Sequence, residues 1–168
     1  MDINIRIEKS SDIEAIHDVT VAAFKNAPHT DHTEQFIVKA LRNANVLSAS
    51  LVAESSKGIV GHVALSPVTI SDGTTGWFGL GPISVLPSEQ GEGIGSKLMN
   101  AAIAELKSRA ASGCVLLGDP QYYQRFGFKP LAGLTLADVP AEYFMGLAFS
   151  NEVPSGAVSY HPSFYVTS

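Results

Sequence analysis

One cysteine, one tryptophan and a charged fraction of only 16% are what this 168-residue chain has least of. Cys114 alone cannot form an intrachain disulfide, which excludes the covalent stapling used by small secreted folds. The N-terminal Met1-Asp2-Ile3-Asn4 lacks the basic and apolar regions of a signal peptide, so a reducing cytoplasm is the expected compartment. Apolar stretches such as Val63-Ala64-Leu65 fall far short of the roughly 20 residues that span a bilayer, and no membrane association is expected. Positive charge is scarce as well. Lys and Arg total 11 against 16 Asp and Glu, a net charge of -5, which argues against binding a nucleic-acid backbone as the main task. What is present is a hydrophobic share of 45%, enough for one sizeable core, and the expected organisation is a single domain over 1–168.

Hydrophobic spacing divides the chain into elements. Ile3, Ile5 and Ile7 alternate with polar residues as a half-buried strand does. Ser11 and Glu14 have capping-box spacing ahead of a helix carrying Ile13, Ile16, Val19 and Ala23, which Pro28 and its neighbours end. Asp31 is placed to cap a second helix with Ile37, Ala40, Leu41 and Ala44 on one stripe. Leu47 to Ala53 and Ile59 to Ile70 read as a hairpin around Ser56-Lys57-Gly58, and Trp77 to Leu86 reads as the next strand. Gly81 and Pro82 weaken that strand, because proline has no ladder donor, so a bulge or splayed edge is expected there. A helix with Ile94, Leu98, Ala102 and Leu106 on one face follows, then the buried-strand run Cys114 to Leu117 and a brief helix over Gln121 to Phe126 ended by Gly127. Ala157 to His161 suggests a last strand. The aromatic tail with Tyr160, Phe164 and Tyr165 either closes its own sheet or pairs across a homodimer.

The strand, glycine-rich turn and helix start in Pro82 to Ser96 have the geometry of a small-anion site. Glycines let consecutive backbone N–H groups approach a ligand, and the helix N-terminus adds its dipole and unpaired donors. A phosphate or pyrophosphate fits; the alternative is a turn that serves tight packing alone. A nucleotide-binding P-loop fails because Ser96 separates Gly95 from Lys97, and a dinucleotide fingerprint fails because Ser96 stands where its third glycine is needed.

The spacing Gln90, Gly93, Gly95 does meet the pattern Q/R-x-x-G-x-G/A, with Ile83-Ser84-Val85-Leu86-Pro87 in the usual strand position before it. Downstream, Tyr122-Tyr123-Gln124-Arg125-Phe126-Gly127-Phe128 is similar to an F-Y-x-K/R-x-G-F segment. On these two ordered motifs the chain resembles the GNAT superfamily of acetyl-CoA-dependent N-acetyltransferases, in particular a small bacterial branch with a G-D-P-x-Y-Y segment. The resemblance runs roughly from Ile5 to Phe128 and implies an α/β (α+β) domain with a mixed, mostly antiparallel sheet flanked by helices.

By that resemblance, main-chain groups of Ile83 and Val85, with Ser84 between them, hold the pantetheine arm of acetyl-CoA as if it were an added strand. Amides from Gln90, Gly91, Gly93, Ile94, Gly95 and Ser96 hold the pyrophosphate, and the Glu92 carboxylate must turn to solvent to avoid it. Tyr123 aligns with the tyrosine that donates a proton to the departing sulfur, and Tyr122 is the alternate acid. A base is less apparent, because Thr75 to Leu86 lacks the strand glutamate that many relatives use; His62 is one candidate, and its alternative is a hydrogen-bonded structural histidine. Arg125 either reaches a coenzyme phosphate or caps the sheet. His29, Asp31 and His32 crowd one loop, for which metal binding, lining of the acceptor pocket and plain solvation are alternatives, and no metal is expected. Cys114 reads as a small buried hydrophobe, with a nucleophile as the alternative. The expected activity is acetyl transfer to a primary amine of a small molecule or peptide by direct attack. The alternative is a non-catalytic acyl-CoA-binding sensor or interaction module.

Overall fold

The computed structural model describes residues 2–28 and 30–168. Its elements run β1 (Asn4–Ile7), α1 (Ile13–Phe24), α2 (Glu34–Asn43), β2 (Ala49–Ser55), β3 (Gly58–Ile70), β4 (Trp77–Val85), α3 (Ile94–Ser108), β5 (Gly113–Leu117), α4 (Pro120–Tyr123), β6 (Leu134–Thr135), β7 (Phe144–Ala148) and β8 (Gly156–Tyr160). The main sheet has the order β1-β2-β3-β4-β5-β7, antiparallel throughout except for the parallel pair β4 and β5. This is the mixed, mostly antiparallel sheet that the resemblance implies.

Alternation on the strands sorts side chains between two helical layers. Leu51, Ala53, Val63 and Leu65 join Leu98, Met99, Ala102 and Leu106 of α3 in the largest core cluster. The intervening Val52 turns to the other face and packs with Ile16 of α1 and Val38 of α2. A second cluster, with Trp77, Val115, Phe144 and Val158, closes the far end of the sheet. There β8 pairs antiparallel with Val68–Ile70 of β3, so the aromatic tail takes the own-sheet arrangement within the chain. The Tyr160 and Phe164 rings stack there with centroids 4.9 Å apart.

Several local expectations shift. The chain enters α1 through a short 3-10 turn at Ser10–Asp12, where the Asp12 carboxylate accepts the Lys9 N–H at 2.7 Å; Ser11 and Glu14 form no capping box. The same carboxylate binds Arg6 at 2.8 Å, so an ion pair and a cap are satisfied by one side chain. Helix α2 starts after Thr33 rather than at Asp31, and its buried stripe takes Val38 in place of Ala44, which is exposed. Strand β2 begins two residues later than Leu47. Ile7 sits at the end of an edge strand and is 57% exposed, not inward.

The break in β4 is where the sequence puts it. Pairing steps from Val63↔Ile83 to Leu65↔Leu80, so β4 carries one extra residue at Gly81-Pro82, a bulge. On its other side β4 pairs with β5 only through Trp77–Gly79 and Gly113–Val115. Beyond Gly79 the two parallel strands part, and the edge of β4 from Leu80 to Val85 faces an opening.

Candidate functional site

Two cavities meet at this opening. The first, about 460 Å³, lies beside the start of α3 and is lined by Ile83, Val85, Glu89, Gln90, Gly91, Gly93, Ile94, Gly95, Ser96, Tyr122, Tyr123 and Arg125. Its floor is backbone. Gly91 and Gly93 have φ of +84° and +83°, a left-handed conformation that glycine adopts at low cost, and a Cβ at either would meet no other atom within 4 Å. That empty space is the approach a phosphate needs. Gly93 caps α3, and Lys97 is the first residue to donate back to Gly93, at 3.1 Å, which leaves the amides of the first turn without helical partners. These donors and the helix dipole suit an anion.

The motif residues divide between the cavity and its surroundings. Glu92 is exposed and lies off the cavity wall, as its charge requires. Ser84 contributes main chain only, because its side chain is turned to the opposite face of the sheet, where its Oγ is buried and has no partner among the described residues. The Gln90 side-chain amide donates to the Val85 carbonyl at 3.1 Å, tying the loop to the free edge of β4. Arg125 lies over the Tyr122 ring, 4.6 Å from its centroid, and lines the cavity instead of capping the sheet. Glu89, which the motif reading passed over, is buried at the rim and meets Lys57 Nζ at 3.3 Å.

The adjacent tyrosines part company on α4. Asp119 caps this short helix by accepting the Gln121 N–H at 3.0 Å, and Pro120 occupies the first turn. The Tyr122 and Tyr123 rings then stand 4.9 Å apart and nearly perpendicular, at 86°. The Tyr122 hydroxyl points toward Gly95, on the phosphate side. The Tyr123 ring lies against Gly118, where a Cβ would collide with it, and borders both cavities. Burial pushes the Tyr123 hydroxyl up to about 12, with Tyr122 and Asp119 adding to the shift. It therefore stays protonated at neutral pH and keeps a proton to donate.

The second cavity, about 440 Å³, lies on the α1 and α2 side of the sheet and shares Ile83 and Tyr123 with the first. Sequence spacing gives no hint of it, because Phe24, Glu34, Leu117, Leu136 and Tyr160 come from five separate stretches of chain.

His62 is placed elsewhere. It is fully buried between β2 and β4, and its Nε2 lies 2.7 Å from Ser50 Oγ. The Ser50 hydroxyl donates to Glu8, whose carboxylate binds Arg42 at 2.8 Å. A hydroxyl that gives its proton to Glu8 accepts from His62, so Nε2 carries the ring proton. Burial holds His62 well below the ordinary range, at about 4, despite the pull of Glu8, and it lines neither cavity. The structural alternative describes it. Cys114 is also fully buried, its thiol pushed up to about 12 by desolvation, which suits packing and not nucleophilic attack. His29 lies outside the described residues; Asp31 and His32 are exposed, and no group of three metal-binding side chains occurs among the described residues.

Known proteins resemble this chain in sequence and fold. Residues 47–130 match the family model of the acetyltransferase (GNAT) domain. An uncharacterised N-acetyltransferase of Escherichia coli K12, YhbS, is 31% identical over 74% of this chain and 72% of its own length. A second uncharacterised N-acetyltransferase of that strain, YjhQ, is 29% identical over 76% of this chain and 70% of its own. Among solved structures, a GNAT family acetyltransferase from Brucella melitensis in complex with acetyl-CoA superposes with a TM-score of 0.87 at 47% identity, covering 97% of this chain and 98% of that one. Escherichia coli YhbS in complex with CoA superposes with a TM-score of 0.90 at 27% identity, over 99% and 93% of the two chains. With residues 47–130 matching the domain model and a relative 31% identical over 72% of its own length, the chain belongs to the GNAT family of N-acetyltransferases.

Proposed function

We propose that this chain transfers the acetyl group of acetyl-CoA to a primary amine by direct attack, with the coenzyme in the first cavity and the amine in the second. The observation that carries this is the position of Tyr123, the one side chain with a donor hydroxyl that borders both cavities. The glycine cradle fits a pyrophosphate, and the unpaired edge of β4 at Ile83 and Val85 fits an extended amide-bearing arm. Complexes of the Brucella melitensis relative with acetyl-CoA and of YhbS with CoA support the choice of coenzyme.

The chemistry balances with few groups. The amine enters as an ammonium and loses one proton, its nitrogen bonds to the thioester carbonyl carbon, and the carbon–sulfur bond breaks. The sulfur leaves with a proton from Tyr123 Oη, and the second nitrogen proton returns the tyrosine to its neutral form through solvent. His62 does not serve as the base, since it is fully buried and lines neither cavity. The test is thiol release from acetyl-CoA over a panel of primary amines and peptide N-termini. Release with at least one amine is expected; coenzyme binding without release from any of them would make the chain an acyl-CoA sensor.

A further inference from the structure

The second cavity carries more information than its place beside the thioester. Its wall is apolar and aromatic, with Phe24, Leu80, Leu136, Tyr160 and Phe164 prominent, and it holds a single carboxylate, Glu34. That side chain is arranged unlike any other acid of the chain. Its Oε2 accepts the Thr30 hydroxyl at 2.5 Å, and the Thr30 oxygen in turn accepts the His32 N–H at 3.0 Å, so the carboxylate is held from one side. Its Oε1 is buried and has no donor among the described residues. A buried carboxylate oxygen with no donor is costly, and the cost is relieved when a cationic donor enters the cavity. The walls decide what carries that cation. Tyr160 and Phe164, with ring centroids 4.9 Å apart and planes tilted by 48°, offer ring surface and no further charge.

We infer that the second cavity selects a cationic primary amine on a compact apolar or aryl body, and that Glu34 is the residue that recognises its ammonium group. The inference rests on the acetyl-transfer reading above and gives that reading its acceptor class. A polar or anionic acceptor meets the wrong wall, and a neutral alcohol isostere offers Glu34 Oε1 a hydrogen bond without the opposite charge. Acetylation turns the ammonium into a neutral amide, so the product forfeits the ionic contact that brought the substrate in.

The experiment is equilibrium binding to the full chain saturated with CoA, which separates recognition from turnover. The probes are 2-phenylethylamine, its neutral counterpart 2-phenylethanol, and ethylamine, which has the charge without the body. We expect 2-phenylethylamine to bind about tenfold or more tightly than either. Glu34→Gln should abolish the preference for the amine over the alcohol, Glu34→Asp should keep part of it, and CoA affinity should be unchanged in both. Equal binding of amine and alcohol by the unaltered chain, an undiminished preference in Glu34→Gln, or no binding of 2-phenylethylamine would overturn the inference. Binding as expected without thiol release in the separate turnover assay would overturn acetyl transfer and not the recognition of the amine.

Discussion

Tyr123 and Glu34 show how differently two side chains proposed to function can be written in a sequence. Tyr123 stands in a compact local motif, so its candidacy is legible from spacing alone; what spacing does not reveal is which of two neighbouring rings faces the thioester. The 86° between the rings and the Gly118 platform settle their orientation in the fold. Tyr123→Phe keeps the ring on that platform and removes only the donor. The expected result is a fall in kcat of about 100-fold with CoA affinity changed less than about twofold, measured by steady-state thiol release and by titration. Gly118→Ala makes the same residue misplaced instead of deficient, and should also lower kcat while the hydroxyl remains. Glu34, by contrast, has no signature: a glutamate in the first turn of a helix reads as favourable dipole placement, and its orphaned oxygen and the cavity it lines exist only once separate stretches of chain have come together. His62 errs the other way. Its position on a long strand suggests a titrating group, whereas the packing makes it a neutral donor to Ser50.

At the scale of elements, the glycine loop was the most legible feature because its function depends on backbone shape, which a few residues can dictate. Gly93 both caps α3 and holds φ at +83°, so a β-branched residue there pays about 1–2 kcal/mol of backbone strain and projects a side chain into the space left for phosphate. Gly93→Val should abolish CoA binding in a calorimetric titration while the protein still melts cooperatively. Glu92→Ala, on an exposed neighbour outside the cavity, should bind CoA at least as tightly as the parent. Equal loss in both variants would contradict the backbone-cradle assignment. The bulge at Gly81-Pro82 was legible for the same reason, since proline and glycine act where they stand. Helix beginnings were not: Asp12 enters in place of Ser11 because its carboxylate pairs with Arg6 and accepts the Lys9 N–H, and α2 starts after Thr33, whose carbonyl accepts the Phe36 and Ile37 N–H groups, rather than at Asp31.

For the whole molecule, pH tests the buried polar layer between the sheet and α1–α2. His62 is held neutral, at about 4 against 6.5 for a free side chain, so the unfolded chain binds its proton first as pH falls. Stability from this site is complete above about pH 6.5 and declines toward pH 4, by as much as about 3 kcal/mol. Asp12 acts lower: Arg6 and the Lys9 N–H hold it at about 2, so its contribution, about 1–2 kcal/mol for a partly screened pair, is full above about pH 4 and lost as pH approaches 2. Urea titrations at stepped pH should therefore show two separate declines, with His62→Leu flattening the upper one and Asp12→Asn the lower. Next to this layer, the two cavities meet at the β4–β5 split and have Ile83 and Tyr123 in common. If the first cavity takes the coenzyme and the second the acceptor, each has its own entrance: the freed thiol and the acetylated product need not wait for each other to leave, and a compound filling one cavity competes with one substrate and meets the other only at Ile83 and Tyr123.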